Sequence, residues 1–171
     1  MKTINDINFK DKKALVRVDF NVPLDDDHQV TDTTRIVAAK DTIIKILEDE
    51  GAVILMSHLG RPKGKQEEFS LQHVVATATD ILGVQVKFVN DCIGETVEQA
   101  AANLKPCEVL LLENLRYYEQ EKAGDVAFAK ALSQLADVYV NDLFDTNHSG
   151  HAITGVITKI LVRKCFGHLM T

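Results

Sequence analysis

The sequence predicts an α/β fold: a single domain built on a doubly wound parallel sheet of five to six strands, with helices on both faces. Three observations carry the prediction. Short apolar runs recur along the 171 residues with amphipathic segments between them, the alternation that strand–helix–strand units produce. The runs are apolar at consecutive positions, as strands covered on both sides require. Polar side chains collect just past the carboxyl ends of four of these strands, where open α/β sheets hold their ligands.

The first strand holds Leu15, Val16 and Val18, then turns polar at alternate positions with Arg17, Asp19 and Asn21. A period of two puts those three on one face, crowded toward the strand's carboxyl end. Pro23 has no amide proton and ends the ladder. Asp19 and Asn21 stand there either to meet a ligand or to satisfy turn amides. Residues 24–29 form a polar loop whose Asp25-Asp26-Asp27 run fails the calcium-loop pattern. Counted from Asp25, the sixth residue is Val30 and the twelfth is Ile36, where glycine and glutamate are needed. Thr31 or Asp32 caps a helix that carries Ile36, Ala39, Ile43, Ile44 and Leu47 on one stripe and ends near Gly51. Arg35 lies in its first turn, where a cation opposes the helix dipole. It either builds an anion site with the first-turn amides or pairs with a neighbouring aspartate.

Ala52, Val53, Ile54, Leu55 and Met56 make the next buried strand, and the loop after it gathers His58, Gly60, Arg61, Pro62, Lys63, Gly64 and Lys65. Three cations in one strand-end loop of an acidic chain suggest an anionic ligand, and the glycines let the backbone lie close to it. A plain surface loop is the alternative. The P-loop pattern is not satisfied. Ser70 starts a helix that runs to about Leu82 and that Gly83 stops. Residues 84–89 alternate as a strand, residues 94–104 are helical with Val97, Ala101 and Leu104 inward, and residues 109–112 are the following strand. Glu113, Asn114 and Arg116 come next, again placing an amide and an arginine at the crevice. Glu119, Gln120, Glu121 and Lys122 read as a solvated charged loop, residues 124–136 as a helix and residues 137–141 as a strand. His148 and His151 have a spacing that helical metal sites use, but no third or fourth ligand is spaced to complete one, so no metal is expected. Residues 152–171, apolar with Lys159, Arg163 and Lys164 interspersed, read as a helix and then an irregular end.

The net charge of −6 argues against a general nucleic-acid binder, which needs a basic face. No apolar run reaches membrane-spanning length and no charged-then-apolar leader opens the chain, so the expected location is cytoplasmic, with no membrane partner. Cys92, Cys107 and Cys165 form no CxxC pair and read as reduced. The dinucleotide-binding G-x-G-x-x-G fingerprint is also missing, which weighs against a free-standing nucleotide binder. Residue by residue, the reading reaches an anion-binding, Rossmann-like α/β domain and stops.

Five motifs extend it. VRVDFNVPL (Val16 to Leu24), VTDTTRI (Val30 to Ile36), SHLGRPKG (Ser57 to Gly64), LLLENLRYYEQEK (Leu110 to Lys122) and ADVYVND (Ala136 to Asp142) resemble, in order and spacing, the amino-terminal half of the phosphoglycerate kinase family. The resemblance covers nearly the whole chain. It implies a glycolytic phosphotransferase that works reversibly between 1,3-bisphosphoglycerate and ADP, giving 3-phosphoglycerate and ATP with magnesium, in two α/β halves across a hinged cleft. By resemblance, Asp19, Asn21 and the Phe20 backbone meet the glycerate. Arg35 is the catalytic residue, facing the transferring phosphoryl group and also binding substrate. His58, Leu59, Gly60, Arg61 and Arg116 complete the substrate-binding set.

The resemblance further implies an amino-terminal-type domain over residues 1–155 and a remnant of the hinge-helix region over 156–171. The nucleotide-binding carboxyl-terminal domain is then absent and Mg-ATP or ADP belongs to it, so this chain itself carries no cofactor. Two positions depart from the family: Ser149 stands where it has a substrate-binding arginine, and Asp145 where it has a glycine. Losing one charge-assisted hydrogen bond costs about 1.5–3 kcal/mol, roughly 10- to 150-fold in affinity. The expectation is a domain that binds 3-phosphoglycerate or 1,3-bisphosphoglycerate weakly and is inactive alone, with a complementing nucleotide-binding domain as partner. The alternative is a non-catalytic, self-associating scaffold that has lost its ligand.

Overall fold

The computed structural model describes residues 4–143 and 164–166. Within them lie six strands: β1 (Lys13–Arg17), β2 (Ala52–Met56), β3 (Val86–Phe88), β4 (Val109–Leu111), β5 (Val138–Asn141) and β6 (Lys164–Phe166). All pair in parallel, in the order β3-β4-β2-β1-β5-β6. The helices between them are α1 (Thr34–Glu48), α2 (Val75–Leu82), α3 (Glu95–Ala102), α4 (Glu119–Ala123) and α5 (Val126–Ser133).

Right-handed crossovers send helices to opposite faces according to the direction of travel across the sheet. From β1 the chain moves through β2 to β3 and lays α1 and α2 on one face. It returns through β4 to β5 and lays α3 and α5 on the other. Alternate strand residues supply the two cores. Val16, Val53, Leu55 and Val140 pack with Ile36 and Ile43 of α1 and Leu82 of α2. Leu15, Ile54 and Tyr139 pack with Val97 of α3 and with Phe128 and Leu132 of α5. Each Leu, Ile or Val taken wholly out of water adds roughly 1.5–3 kcal/mol, which is why the strands tolerate so few polar positions.

Polar side chains set the helix ends. Asp32 Oδ1 accepts the Thr34 amide at 2.9 Å ahead of α1, and Asp125 Oδ1 accepts the Phe128 amide at 2.8 Å ahead of α5. Each satisfies an amide that the helix leaves without a carbonyl. Ser70 Oγ does the same for the Gln72 amide at 3.1 Å, but the turn it opens is a 3-10 turn (Leu71–Val74) before α2 begins.

Four stretches differ from expectation. Residues 119–123 are helical, not a solvated loop, and Glu121 is fully buried. The helix expected over 124–136 runs Val126–Ser133, because its cap is Asp125. β3 keeps the middle three residues of the alternating stretch 84–89. Residues 164–166 add β6 beside β5 where an irregular end was expected; the rest of 152–171 lies outside the described residues.

Candidate functional site

β2 and β4 are neighbours in the sheet, yet the chain leaves β2 toward α2 on one face and leaves β4 toward α5 on the other. The connections part here, and such a point in a doubly wound sheet opens a binding crevice. Three segments rim it: residues 18–23 after β1, 57–66 after β2, and 112–118 after β4.

Buried backbone must have its amides and carbonyls satisfied, and buried polar side chains do that for these segments. Asn114 Oδ1 accepts the Leu59 and Arg116 amides at 3.2 and 3.0 Å, while its Nδ2 donates to the Leu59 and Phe69 carbonyls at 2.7 and 2.8 Å. Glu113 accepts the Ser70 hydroxyl at 2.7 Å and the Leu71 and Asn114 amides at 2.9 and 2.8 Å. Ser57 Oγ accepts the Phe20 amide at 2.9 Å. The amide that the sequence places at the crevice after β4, Asn114, is therefore taken up by the frame.

Asp19, Asn21 and Arg35 meet at one rim. Arg35, second residue of α1, donates through Nη1 to the Asn21 carbonyl at 2.7 Å and to Asp19 Oδ1 at 3.3 Å. Its side chain is 52% exposed, so the guanidinium is anchored yet open to the crevice. Arg35 thus pairs with a neighbouring aspartate from the first turn of α1. Asn21 Oδ1 accepts the Gly60 amide at 2.9 Å, and Asp19 Oδ1 accepts the Asn21 amide at 3.1 Å. Gly60 has φ of 63°, and a Cβ there would lie 2.5 Å from the Phe69 ring, so this position requires glycine. Phe20 and Leu59 are buried beneath the rim, and Arg61 is exposed on the loop. One expectation is corrected here. β1 ends at Arg17, so Asp19 and Asn21 do not continue a strand face with it; Arg17 is buried while the other two are half-buried.

Arg17 lies under the crevice with 4% of its side chain exposed. Its Nη1 is 3.7 Å from Glu121 Oε1, and its Nη2 is 3.3 Å from His58 Nδ1. A guanidinium can only donate, so His58 Nδ1 accepts and Nε2 is left to carry the ring proton. The second Glu121 oxygen is 3.9 Å from Arg116 Nε. Burial holds the Arg17 guanidinium below its ordinary pKa, and the Glu121 carboxylate opposes that fall. Arg116 lines a cleft of about 1080 Å³ with Lys63 and Lys122. Asp19, Arg35 and His58 line another of about 490 Å³ with Thr34, Asp142 and Leu143.

In a chain of net charge −6, Arg35 and the His58 ring line one cleft, and Arg116, from a third segment, lines the other. Guanidinium and ring N–H groups suit anionic oxygens, and the Asp19 carboxylate suits a hydroxyl. Among the described residues no three His, Cys, Asp or Glu side chains converge on a metal position, and no helix is long and apolar enough to cross a membrane. Asp145, His148, Ser149 and His151 lie outside the described residues. Sequence reasoning missed Glu121 and misplaced Arg17. No local signal marks Glu121, which sits in an acidic stretch and owes its burial to a cation on a distant strand.

The family model described as phosphoglycerate kinase matches residues 4–171. Phosphoglycerate kinase of Moorella thermoacetica is 56% identical, covering 93% of this chain and 40% of its own length. The cytosolic phosphoglycerate kinase of Triticum aestivum is 50% identical, with 98% and 42% covered. That of Porphyromonas gingivalis is 47% identical, with 98% and 46% covered. Among solved structures, phosphoglycerate kinase from Coxiella burnetii superposes with a TM-score of 0.87 at 30% identity, over 99% of this chain and 42% of that one. The Pyrococcus horikoshii structure gives 0.89 at 28% identity, over 99% and 43%. The chain spans less than half the length of the curated relatives it matches.

Proposed function

The chain belongs to the phosphoglycerate kinase family, and from that premise we propose that its crevice binds 3-phosphoglycerate, or 1,3-bisphosphoglycerate, as the substrate half of the kinase. The observation that supports the reading best is that Arg35 and His58 line one cleft with Asp19, while buried Arg17 and Glu121 link His58 to Arg116. The two guanidinium groups and the His58 ring N–H take the phosphate and carboxylate oxygens, and Asp19 takes the glycerate hydroxyl. Arg35, anchored at one end and half exposed, meets the phosphoryl group in transfer and stabilises its charge. The Gly60 backbone, set by Asn21, and exposed Arg61 complete the wall.

In-line positioning of two reactants is the source of the rate in such a reaction. In this reading residues 1–155 hold one reactant and residues 156–171 lead toward a hinge. The nucleotide and its magnesium are held by a second half. The 171-residue chain then binds without turning over alone, and a nucleotide-binding half supplied in trans restores transfer. We place it in the cytoplasm, as the name of the Triticum aestivum relative does for that protein, while an Arabidopsis thaliana relative is named chloroplastic.

Calorimetric titration with 3-phosphoglycerate at low salt, beside Arg35→Ala, tests the reading. Saturable binding is expected, weakened about tenfold or more in the variant. Stability should hold within about 1 kcal/mol, because the exposed Arg35–Asp19 pair contributes little. A folded chain that shows no binding at millimolar ligand refutes the proposal. It would favour the self-associating scaffold, for which Ser149 and Asp145 in the sequence are the argument.

A further inference from the structure

Glu121 has no role in the substrate contacts just described, yet it is the carboxylate on which the buried side of the crevice converges. We propose that Glu121 is a positioning residue that orients Arg116 toward an anionic ligand, an inference that rests on the crevice being the substrate site. Three observations carry it. The Glu121 side chain is fully buried on α4, with one oxygen 3.7 Å from Arg17 Nη1 and the other 3.9 Å from Arg116 Nε. Arg116 is anchored twice, its amide on Asn114 Oδ1 at 3.0 Å and its Nε beside Glu121, while its side chain lines the cleft with Lys63 and Lys122. Arg116 is also close enough to Arg17 to disfavour the Arg17 charge.

Burying a carboxylate between two arginines is a poor way to gain stability, since apolar residues of similar volume often do as well or better. Its use must lie in what it holds. A long arginine side chain loses rotamer freedom when it binds, and fixing it beforehand removes that cost from the binding step. Anchoring through Nε leaves the two Nη groups to grip an anion as a fork. The distances of 3.7 and 3.9 Å are those of ion pairs, not short hydrogen bonds. Toward both arginines Glu121 therefore acts through its charge, which glutamine lacks and aspartate keeps.

The test uses the 171-residue chain with isotope-labelled arginine, following the Arg116 Nε–H resonance by NMR and 3-phosphoglycerate affinity by titration. The signal is identified by its loss in Arg116→Ala. In Glu121→Gln the resonance should move toward that of exposed arginines, and affinity should fall about tenfold. Glu121→Asp, which draws the charge back by a methylene, should shift the signal part of the way. In the Arg116→Ala background Glu121→Gln should cost no further affinity, which a general loosening of the fold would not reproduce. An unmoved resonance in folded Glu121→Gln, or an equal affinity loss in both backgrounds, overturns the proposal. If Glu121→Gln does not fold, an unmoved signal in Glu121→Asp overturns it instead. The resonance needs no ligand, so a parent chain that fails to bind 3-phosphoglycerate refutes the substrate-site reading separately.

Discussion

Replacing Asn114 with alanine removes the side chain that joins the loops after β2 and β4. Four hydrogen bonds go with it: the Leu59 and Arg116 amides lose their acceptor, and the Leu59 and Phe69 carbonyls lose their donor. Asn114 is fully buried, so water cannot replace these bonds without opening the crevice. At a net contribution of about 1 kcal/mol each, the loss is roughly 4 kcal/mol. A domain of ordinary stability has about 5–15 kcal/mol in all, so the variant should still fold but with a much lower midpoint. Urea unfolding followed by circular dichroism measures the difference, with an unchanged slope showing that the denatured state is the same. Native-state hydrogen exchange adds a local check. The Leu59 and Arg116 amides should exchange faster than the drop in global stability accounts for. A loss below about 1 kcal/mol, with those two amides still protected, would refute the frame assigned to Asn114.

Gly60→Ala places a Cβ 2.5 Å from the Phe69 ring at a φ of 63°, whereas Gly64→Ala, at 88°, meets nothing within 4 Å. The first should destabilise by about 2–4 kcal/mol and weaken ligand binding, the second by about 1–2 kcal/mol from backbone strain alone; equal urea midpoints for the two would contradict the packing argument. Burial pushes the Asp49 carboxyl up, but the Lys45 ammonium and the Phe9 amide outweigh it and leave the group below its ordinary pKa. A carboxyl depressed in the folded state stabilises above its unfolded value near about pH 4, and that stability is lost as pH falls through the folded value. Asp49→Asn should therefore be less stable near neutrality and lose less on acidification, and parallel stability–pH curves for variant and parent would count against it.

The path of the chain was legible because periodicity is local. Val53, Ile54 and Leu55 are buried on alternate sides of one sheet, and an unbroken apolar run announces that burial without reference to any other segment. Helix starts at Asp32 and Ser70 follow from side chains that reach amides two residues on. The position of the crevice was legible for a related reason, since polar residues at strand ends can be counted before any strand is paired. Asp19, Asn21, Arg35, His58, Gly60 and Arg116 all lie on the three segments that rim it or on the first turn of α1.

What each polar side chain does there was settled by tertiary structure. Asn114 and Asn21 look alike in sequence, an amide after a strand. Yet Asn114 is buried with both ends bonded to backbone, while Asn21 stays half-buried on the rim. Glu121 and Glu119 look alike too, separated by one residue, and one is fully buried while the other is exposed. The difference is Arg17, at the end of a strand laid down long before α4 in the chain. Apolar burial depends on a residue's own side chain, so the sequence by itself determined the sheet, its two cores and the end at which its polar side chains collect. A buried charge is tolerated only where an opposite charge arrives from elsewhere in the fold, and so the pairing of Arg17, Glu121 and Arg116 was decided by the tertiary structure.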